Sequence, residues 1–273
     1  MSDPITSLQN PRIKALVKLR DKGPKDRAEH ILIDGIREIT RAIEAGVELS
    51  EAFYCPRTSV GAVRGGTAHL GAALEACRTR GVPCIEVADT VLQRISYGER
   101  REGIVVTAVR PKRPLDQLRI PERPLIGVVE RIEKPGNLGA ILRCADGAGV
   151  DAIVAADAVT DVYGPNVIRS SVGAVFSVQV VEASSADVMV WIRAKGMQIV
   201  AAVPVGDRRY TDVDYRMPTA IVFGSEAQGL SKRWHGAGVV TAKVPMAGKG
   251  DSLNVSATAA TFFYEARRQR GAV

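Results

Sequence analysis

The stretch Val244-Pro245-Met246-Ala247-Gly248-Lys249-Gly250-Asp251-Ser252-Leu253-Asn254-Val255-Ser256 decides how this chain reads. A short apolar run at 239–244 enters a loop that holds two glycines. A Ser-Leu-Asn-Val-Ser step then leads into a small-residue helix at 257–269. Such a loop leaves backbone N–H and C=O groups free for a ligand, and glycine lets that backbone come close. Ser252, Asn254 and Ser256 stand at the step into the helix, so each reads as a capping or a ligand-binding group.

Outward from this loop, apolar runs alternate with helical patterns. Strands are expected at 125–130, 151–156, 175–181, 197–203, 219–223 and 239–244, and helices at 137–147, 166–171, 186–194 and 257–269. Apolar strands separated by helices predict an α/β domain with a mainly parallel sheet covered on both faces. The N-terminal part alternates as well. A helix at 12–20 precedes strands at 30–34, 49–55, 83–87 and 103–109, with helices at 35–45, 70–80 and 89–96 between them. That pattern makes a smaller α/β unit. Arg110-Pro111-Lys112-Arg113-Pro114, with Pro121 and Pro124, interrupts the alternation as a stiff polar linker does. The expected division is a first domain over 1–108, a linker over 109–122 and a second domain over 123–273.

Bulk properties narrow the classes. The 273 residues suffice for two domains, and no run of about 18 apolar residues suggests a membrane span. Met1-Ser2-Asp3-Pro4 lacks the basic-then-apolar pattern of a secretory leader, so a cytoplasmic location is expected. Cys55, Cys77, Cys84 and Cys144 show no metal spacing and read as free thiols; His30, His69 and His235 are scattered, so no metal site is expected. The net charge of +7 is unevenly placed. Arg12, Lys14, Lys18, Arg20, Lys22, Lys25 and Arg27 face only Asp21 and Asp26 nearby. Such a segment suits a phosphate backbone, and it also suits a solvated helix face.

The usual nucleotide and hydrolase signatures are absent: there is no G-x-G-x-x-G between strand and helix, no G-x-S-x-G, no Walker loop and no H-E-x-x-H. An ordinary Rossmann dehydrogenase is thereby disfavoured. Two further segments sit at expected strand ends, where ligands of open α/β sheets bind. One is Glu130-Arg131-Ile132-Glu133-Lys134-Pro135-Gly136-Asn137-Leu138-Gly139-Ala140-Ile141-Leu142-Arg143. Asn137 there reads as a helix cap or a ligand group, and Arg143 as a surface ion pair or a site cation. The other is Ile221-Val222-Phe223-Gly224-Ser225-Glu226-Ala227-Gln228-Gly229-Leu230. Glu226, fenced by glycines, reads as a ligand contact or as an acid at a helix N-terminus.

Together the three segments resemble the SpoU/TrmH-type RNA ribose 2′-O-methyltransferases of the SPOUT superfamily. That family shows Asn-x-Gly-Ala-x-x-Arg, then Phe-Gly-x-Glu-x-x-Gly, then Pro-Met-x-Gly followed by Ser-Leu-Asn-Val-Ser. These match Asn137 with Arg143, Phe223 with Gly229, and Pro245 with Ser256, in order, over about 150 residues. Arg169-Ser170-Ser171-Val172-Gly173-Ala174-Val175-Phe176 is similar to a family segment between the first two motifs. The N-terminal part resembles the small substrate-binding domain often fused to these enzymes.

The resemblance implies a fold, a cofactor and a reaction. The fold is a SPOUT domain with a trefoil knot, preceded by an RNA-binding α/β/α domain. The cofactor is S-adenosyl-L-methionine, held by Ala202, Val203, Gly224, Val244, Met246 and Leu253, mainly through backbone. The reaction is methylation of a ribose 2′-hydroxyl, with Arg143 catalytic and Asn137, Glu226, Ser252 and Asn254 supporting the site. A guanidinium holds its proton far above neutral pH, so Arg143 suits phosphate binding and alkoxide stabilisation better than the part of a base. The 2′-hydroxyl makes RNA the substrate. Ribosomal RNA is favoured by the extra domain, with transfer RNA as the near alternative and antibiotic self-protection as a narrower one. A non-catalytic RNA-binding or ribosome-assembly factor is disfavoured by the intact motif residues. A homodimer is implied through the last helix, along Ala257, Ala260, Thr261 and Tyr264. Arg110, Lys112, Arg113, Arg267, Arg268 and Arg270 join the basic N-terminal segment as candidate phosphate contacts.

Overall fold

Asn10 starts the first helix, α1 (Pro11–Arg20), by accepting the Arg12 N–H at 2.9 Å, with proline in the first turn where no N–H is needed. The computed structural model describes residues 3–21, 29–56, 66–98 and 102–271, with 66–68 by backbone alone. It divides into two compact units, one of Met1–Pro111 with Tyr163–Ser177, the other of Lys112–Val162 with Val178–Val273.

In the first unit, α1 buries Ile13 and Leu16 and leaves Arg12, Lys14 and Lys18 exposed. The chain continues through β1 (His30–Asp34), α2 (Ile36–Glu44), β2 (Leu49–Tyr54), α3 (Gly66–Arg78), β3 (Cys84–Glu86), α4 (Asp89–Ile95) and β4 (Ile104–Val109). The sheet order is β1-β4-β2-β3, with β4 antiparallel to β1 and β2, and β3 parallel to β2. Ile13, Leu16, Leu32, Phe53, Leu92 and Val105 close one core over it.

The remaining chain runs β5 (Leu125–Glu130), α5 (Pro135–Ala148), β6 (Ala152–Ala156), α6 (Pro165–Ser170), α7 (Ala174–Ser177), β7 (Gln179–Ala183), α8 (Ser185–Ala194), β8 (Gln198–Ala202), β9 (Arg208–Arg209), β10 (Thr219–Phe223), β11 (Val239–Lys243) and α9 (Val255–Gln269). The helices α6 and α7 pack with the first unit. The strand expected at 175–181 is replaced by α7 and a strand that begins only at Gln179. Positive φ at Val172 and Gly173 turns the chain before Ala174, so the apolar run Val175-Phe176 forms a helical turn instead.

The second sheet has the order β7-β6-β5-β10-β8-β11-β9, and each of its pairings is parallel. Successive side chains of a strand point to opposite faces. Ile126, Val128, Val154, Val222 and Ile199 bury one face against Val188, Met189 and Ile192 of α8. The opposite face meets α9: a side chain at Gly127 would press on Ile153 and Phe263, and Phe223 packs edge-on against Phe262 and Phe263. This is the α/β sheet covered on both faces that the sequence pattern predicts. Chain order reverses at β5, with β6 on one side and the late strand β10 inserted on the other. The carboxyl ends of β5, β10, β8 and β11 therefore lie side by side at a switch point, where ligands of such sheets bind.

Candidate active site

The loops leaving those four strands enclose a pocket of about 420 Å³. That is within the size range of small-molecule sites, roughly 300–1,000 Å³. Ala202, Val203, Gly224, Glu226, Val244, Met246, Ser252, Leu253 and Asn254 all line it. The sequence reading named each of them. Asn137 and Arg143 do not line the pocket.

Gly224 shows why this wall needs glycine. A methyl group there would overlap the backbone of Gly229 and Leu230. The chain folds back so tightly because Ser225 and Gly229 exchange backbone hydrogen bonds at 3.1 and 3.0 Å, with Gly229 at φ +65°. The Ser225 hydroxyl accepts the Gln228 N–H at 3.0 Å and fixes the turn.

Polar groups from the three motif loops meet beside the pocket. Glu226 accepts from the Asn137 amide at 2.6 Å and from the N–H groups of Glu133 at 3.1 Å and Lys134 at 3.4 Å. Burial alone would raise the pKa of Glu226, but these donors outweigh it and hold the carboxyl below its ordinary value. The Asn137 carbonyl accepts from the Asn254 amide at 3.1 Å. Asn254 in turn caps α9, accepting from the Ser256 N–H at 2.9 Å and the Ser256 hydroxyl at 2.6 Å. A single chain of hydrogen bonds thus runs Glu226, Asn137, Asn254, Ser256 across loops 89 and 117 residues apart in sequence. Asn137 itself does not cap α5: Pro135 starts that helix and Asn137 lies within its first turn, with its side chain spent on Glu226. Ser252 is exposed and faces the pocket.

Arg143 is exposed on α5 and has no hydrogen-bond or ion-pair partner among the described residues. Six residues beyond Asn137, it lies about 9 Å further along the helix axis, on a different side of the helix. Lys134 and Leu230, from the two quoted segments, also line the pocket, as do Thr258 and Phe262 of α9, to which the sequence reading gave no site role.

The cations sort themselves by partner. Arg12, Lys14 and Lys18 are exposed on α1, with Arg12 only 3.9 Å from the Glu51 carboxylate. Arg20 is not free for a ligand: it donates to Asp21 at 2.8 Å and to the carbonyls of Arg94 and Ser96. Lys22, Lys25 and Arg27 lie outside the described residues. Arg110 is buried with its guanidinium 5.3 Å from the Tyr163 ring centre, and Arg268 pairs with Glu265 at 2.8 Å. Arg270 donates to the carbonyls of Arg123, Pro124, Tyr215 and Met217 at 2.7–3.0 Å. Arg270 is thereby corrected from a phosphate contact to a structural tie, because its donors are spent on four carbonyls, and Arg110 is buried rather than open to a phosphate, while Arg268 keeps an exposed guanidinium beside Glu265.

A model of the SpoU rRNA Methylase family matches residues 124–264, and a model of the MRM3-like substrate binding domain matches residues 10–106. The chain belongs to the SpoU rRNA methylase family. It is 33% identical over 261 residues to a 23S rRNA (uridine(2479)-2′-O)-methyltransferase of Streptomyces viridochromogenes, covering 92% of this chain and 87% of that protein. Among solved structures, an RNA 2′-O ribose methyltransferase superposes with a TM-score of 0.82 at 39% identity, covering 98% of this chain and 99% of its own. The SpoU methyltransferase AviRb of Streptomyces viridochromogenes, in complex with AdoMet, gives 0.84 at 31% identity, covering 97% and 100%.

The pocket's own chemistry fits that cofactor. Leu230, Val244, Met246, Leu253 and Phe262 offer apolar surface for a purine, while Glu226 and Asp251 bring carboxylates toward a cationic group. Among the described residues no cluster of His, Cys, Asp and Glu suits a metal ion, and no helix is long and apolar enough to cross a membrane.

Proposed function

We propose that this protein methylates a ribose 2′-hydroxyl of ribosomal RNA with S-adenosylmethionine as the donor. One observation carries the reading: side chains and backbone of all three motif loops converge on one glycine-walled pocket at the switch point. The family membership and the 23S rRNA enzymes among its relatives support ribosomal RNA as the substrate class.

When bound, S-adenosylmethionine supplies an activated methyl group on a sulfonium. Gly224, Val244, Met246, Leu253, Ala202 and Val203 would hold it through backbone and apolar contact. What remains for the chain is to align the ribose oxygen and help its hydroxyl release a proton. Arg143 binds the phosphate beside the target ribose and stabilises the oxygen as it gains negative charge. Its lack of a partner among the described residues leaves its donors available for this. Asn137, Glu226 and Asn254 keep the loops in register, and Ser252, exposed at the pocket, orients the ribose.

The proposal includes the assembly. Residues 1–108 bind RNA, with Arg12, Lys14 and Lys18 as exposed contacts and Lys22, Lys25 and Arg27 continuing the same basic segment. Residues 109–122 join them to the methyltransferase domain over 123–273, and the two family models meet near this linker. The knot is supported by the strand order, with β10 inserted between β5 and β8 and the chain returning from β11 so that α9 packs on α5. Exposed Ala257 and Tyr264 on α9, with Thr261 between them, support a homodimer, and RNA as substrate supports a cytoplasmic location.

The test is methyl transfer to ribosomal RNA by Arg143→Ala and Arg143→Lys, with S-adenosylmethionine affinity measured in parallel. The alanine variant is expected to lose about 100-fold or more in turnover, as for loss of a transition-state charge partner, with cofactor affinity retained. Full turnover by Arg143→Ala overturns the role given to Arg143. Mapping ribose methylation in RNA from cells with and without the gene identifies the target.

A further inference from the structure

Glu130 is the last residue of β5 and is only 1% exposed. A carboxylate out of water needs its lone pairs filled. Its Oε1 accepts from the Ser185 hydroxyl at 2.9 Å, the Ser231 hydroxyl at 2.8 Å and Trp234 Nε1 at 2.8 Å. Its Oε2 accepts from the Ser231 N–H at 2.7 Å. Among the described residues it has no cationic partner within ion-pair distance.

The direction of these bonds is informative. Ser231 and Trp234 follow β10, the strand paired with β5 in register at Val129 and Phe223. Glu226 crosses the other way: it leaves the loop after β10 and binds Glu133, Lys134 and Asn137 beyond β5. Each strand therefore sends one carboxylate into the loop that follows its neighbour. Between the two anchors lie Gly224, Ser225, Gly229 and Leu230, which line the pocket. Glu226 holds the entry of this segment, and Glu130 holds its exit through Ser231 and the wholly buried Trp234.

We propose that Glu130 is a positioning residue: with Glu226 it forms a crossed pair of carboxylates that sets the 224–230 wall before S-adenosylmethionine arrives. The inference rests on the reading of the pocket as that cofactor's site. Glu130 does not line the pocket, so it acts on affinity only through Ser231 and Leu230. A wall fixed in advance binds more tightly, because less motion is lost on binding. In Glu130→Gln one oxygen becomes an NH₂, which sets a donor against the Ser231 N–H or against the three donors on Oε1.

The experiment measures S-adenosylmethionine binding by calorimetry and the ligand-free thermal midpoint for the full chain and three variants. Glu130→Gln is expected to raise Kd about tenfold, the ordering cost of a freed loop segment. Ser231→Ala, which keeps its N–H but loses one donor, is expected to raise Kd about threefold, and Ser231→Thr, which keeps the hydroxyl, to restore it. A lowered midpoint with Kd within twofold of the parent means Glu130 only supports the core, and it overturns the inference. If Glu130→Gln fails to fold, the Ser231→Ala and Ser231→Thr pair decides on the same criterion. A parent protein that binds no S-adenosylmethionine overturns both this inference and the functional reading beneath it, whereas binding with unchanged variant affinities overturns this inference alone.

Discussion

Both units of this protein take carboxylates out of water, and they treat them in opposite ways. In the methyltransferase unit, Glu130 and Glu226 are surrounded by N–H and O–H donors, and donation holds the pKa of Glu226 below its ordinary value despite its partial burial. In the first unit, Asp34, Glu38 and Glu102 gather around Arg169. The guanidinium of Arg169 donates to the Tyr97 carbonyl, while Asp34 and Glu102 each take one backbone N–H, from Tyr97 at 2.6 Å and Ile36 at 2.7 Å. Burial there pushes Asp34 up to about 7 and raises Glu38 as well. Acceptors matched by donors make a rigid wall whose carboxylates stay charged at neutral pH, whereas acids crowded against one another make a cluster that responds to protons there.

The sharpest way to break this contrast is at the rigid wall. Gly224→Ala places a methyl into the backbone of Gly229 and Leu230, which the double Ser225–Gly229 hydrogen bond prevents from yielding. S-adenosylmethionine affinity is expected to fall about 100-fold or more, since one strained contact there displaces the whole wall. Calorimetry on the folded variant checks it, and a Kd close to the parent's shows that the wall is soft.

A second test asks whether donor matching or charge supports the methyltransferase unit. Arg270 fills four carbonyls from two chain segments and so ties the end of α9 to the entries of β5 and β10. Burial lowers its pKa, with Asp151 opposing that effect. Arg270→Ala is expected to destabilise this unit by about 1–3 kcal/mol in urea titration, because partly buried carbonyls lose a charged donor. The salt dependence of RNA binding is expected to stay unchanged. A reduced salt slope returns Arg270 to the phosphate contacts.

These two positions also show what the sequence made legible. Gly224 stood inside a motif, and loops that grip a ligand by backbone carry their chemistry in a short run of residues. The parallel sheet was legible too, because strands buried on both faces are apolar throughout. Arg270 and Glu130 were not. Arg270 looked like one more exposed cation in a basic tail, and nothing in a charge count reveals carbonyls 53 to 147 residues away. Glu130 stands at the end of an apolar strand and the head of the first motif segment, but its donors lie 55 to 104 residues further on. The helical turn at Ala174–Ser177 departs from the expected strand for a local reason: an apolar run as short as Ala174-Val175-Phe176 suits helix and strand equally.

The smallest expected effect is at the proton-sensitive cluster. Asp34 titrates at about 7 in the folded unit against 3.8 ordinarily, so folding takes up a proton between those values. Stability of the first unit is then expected to rise as pH falls from 8 toward 5 and to level off below about 4, where both states hold the proton. Glu226 carries the opposite sign. Its lowered pKa stabilises the fold above the ordinary glutamate range, and that contribution is lost as pH drops through its folded value. Asp34→Asn keeps a carbonyl oxygen for the Tyr97 N–H but removes the charge that Glu38 and Glu102 oppose. The variant is expected to gain about 5 °C in thermal midpoint at pH 8, to lose that gain by pH 5, and to leave S-adenosylmethionine affinity unchanged throughout. Thermal scans across this pH range decide it: a parallel offset at every pH means that Asp34 is not the proton-binding group, and a pH-dependent cofactor affinity means that the two units' carboxylates are coupled.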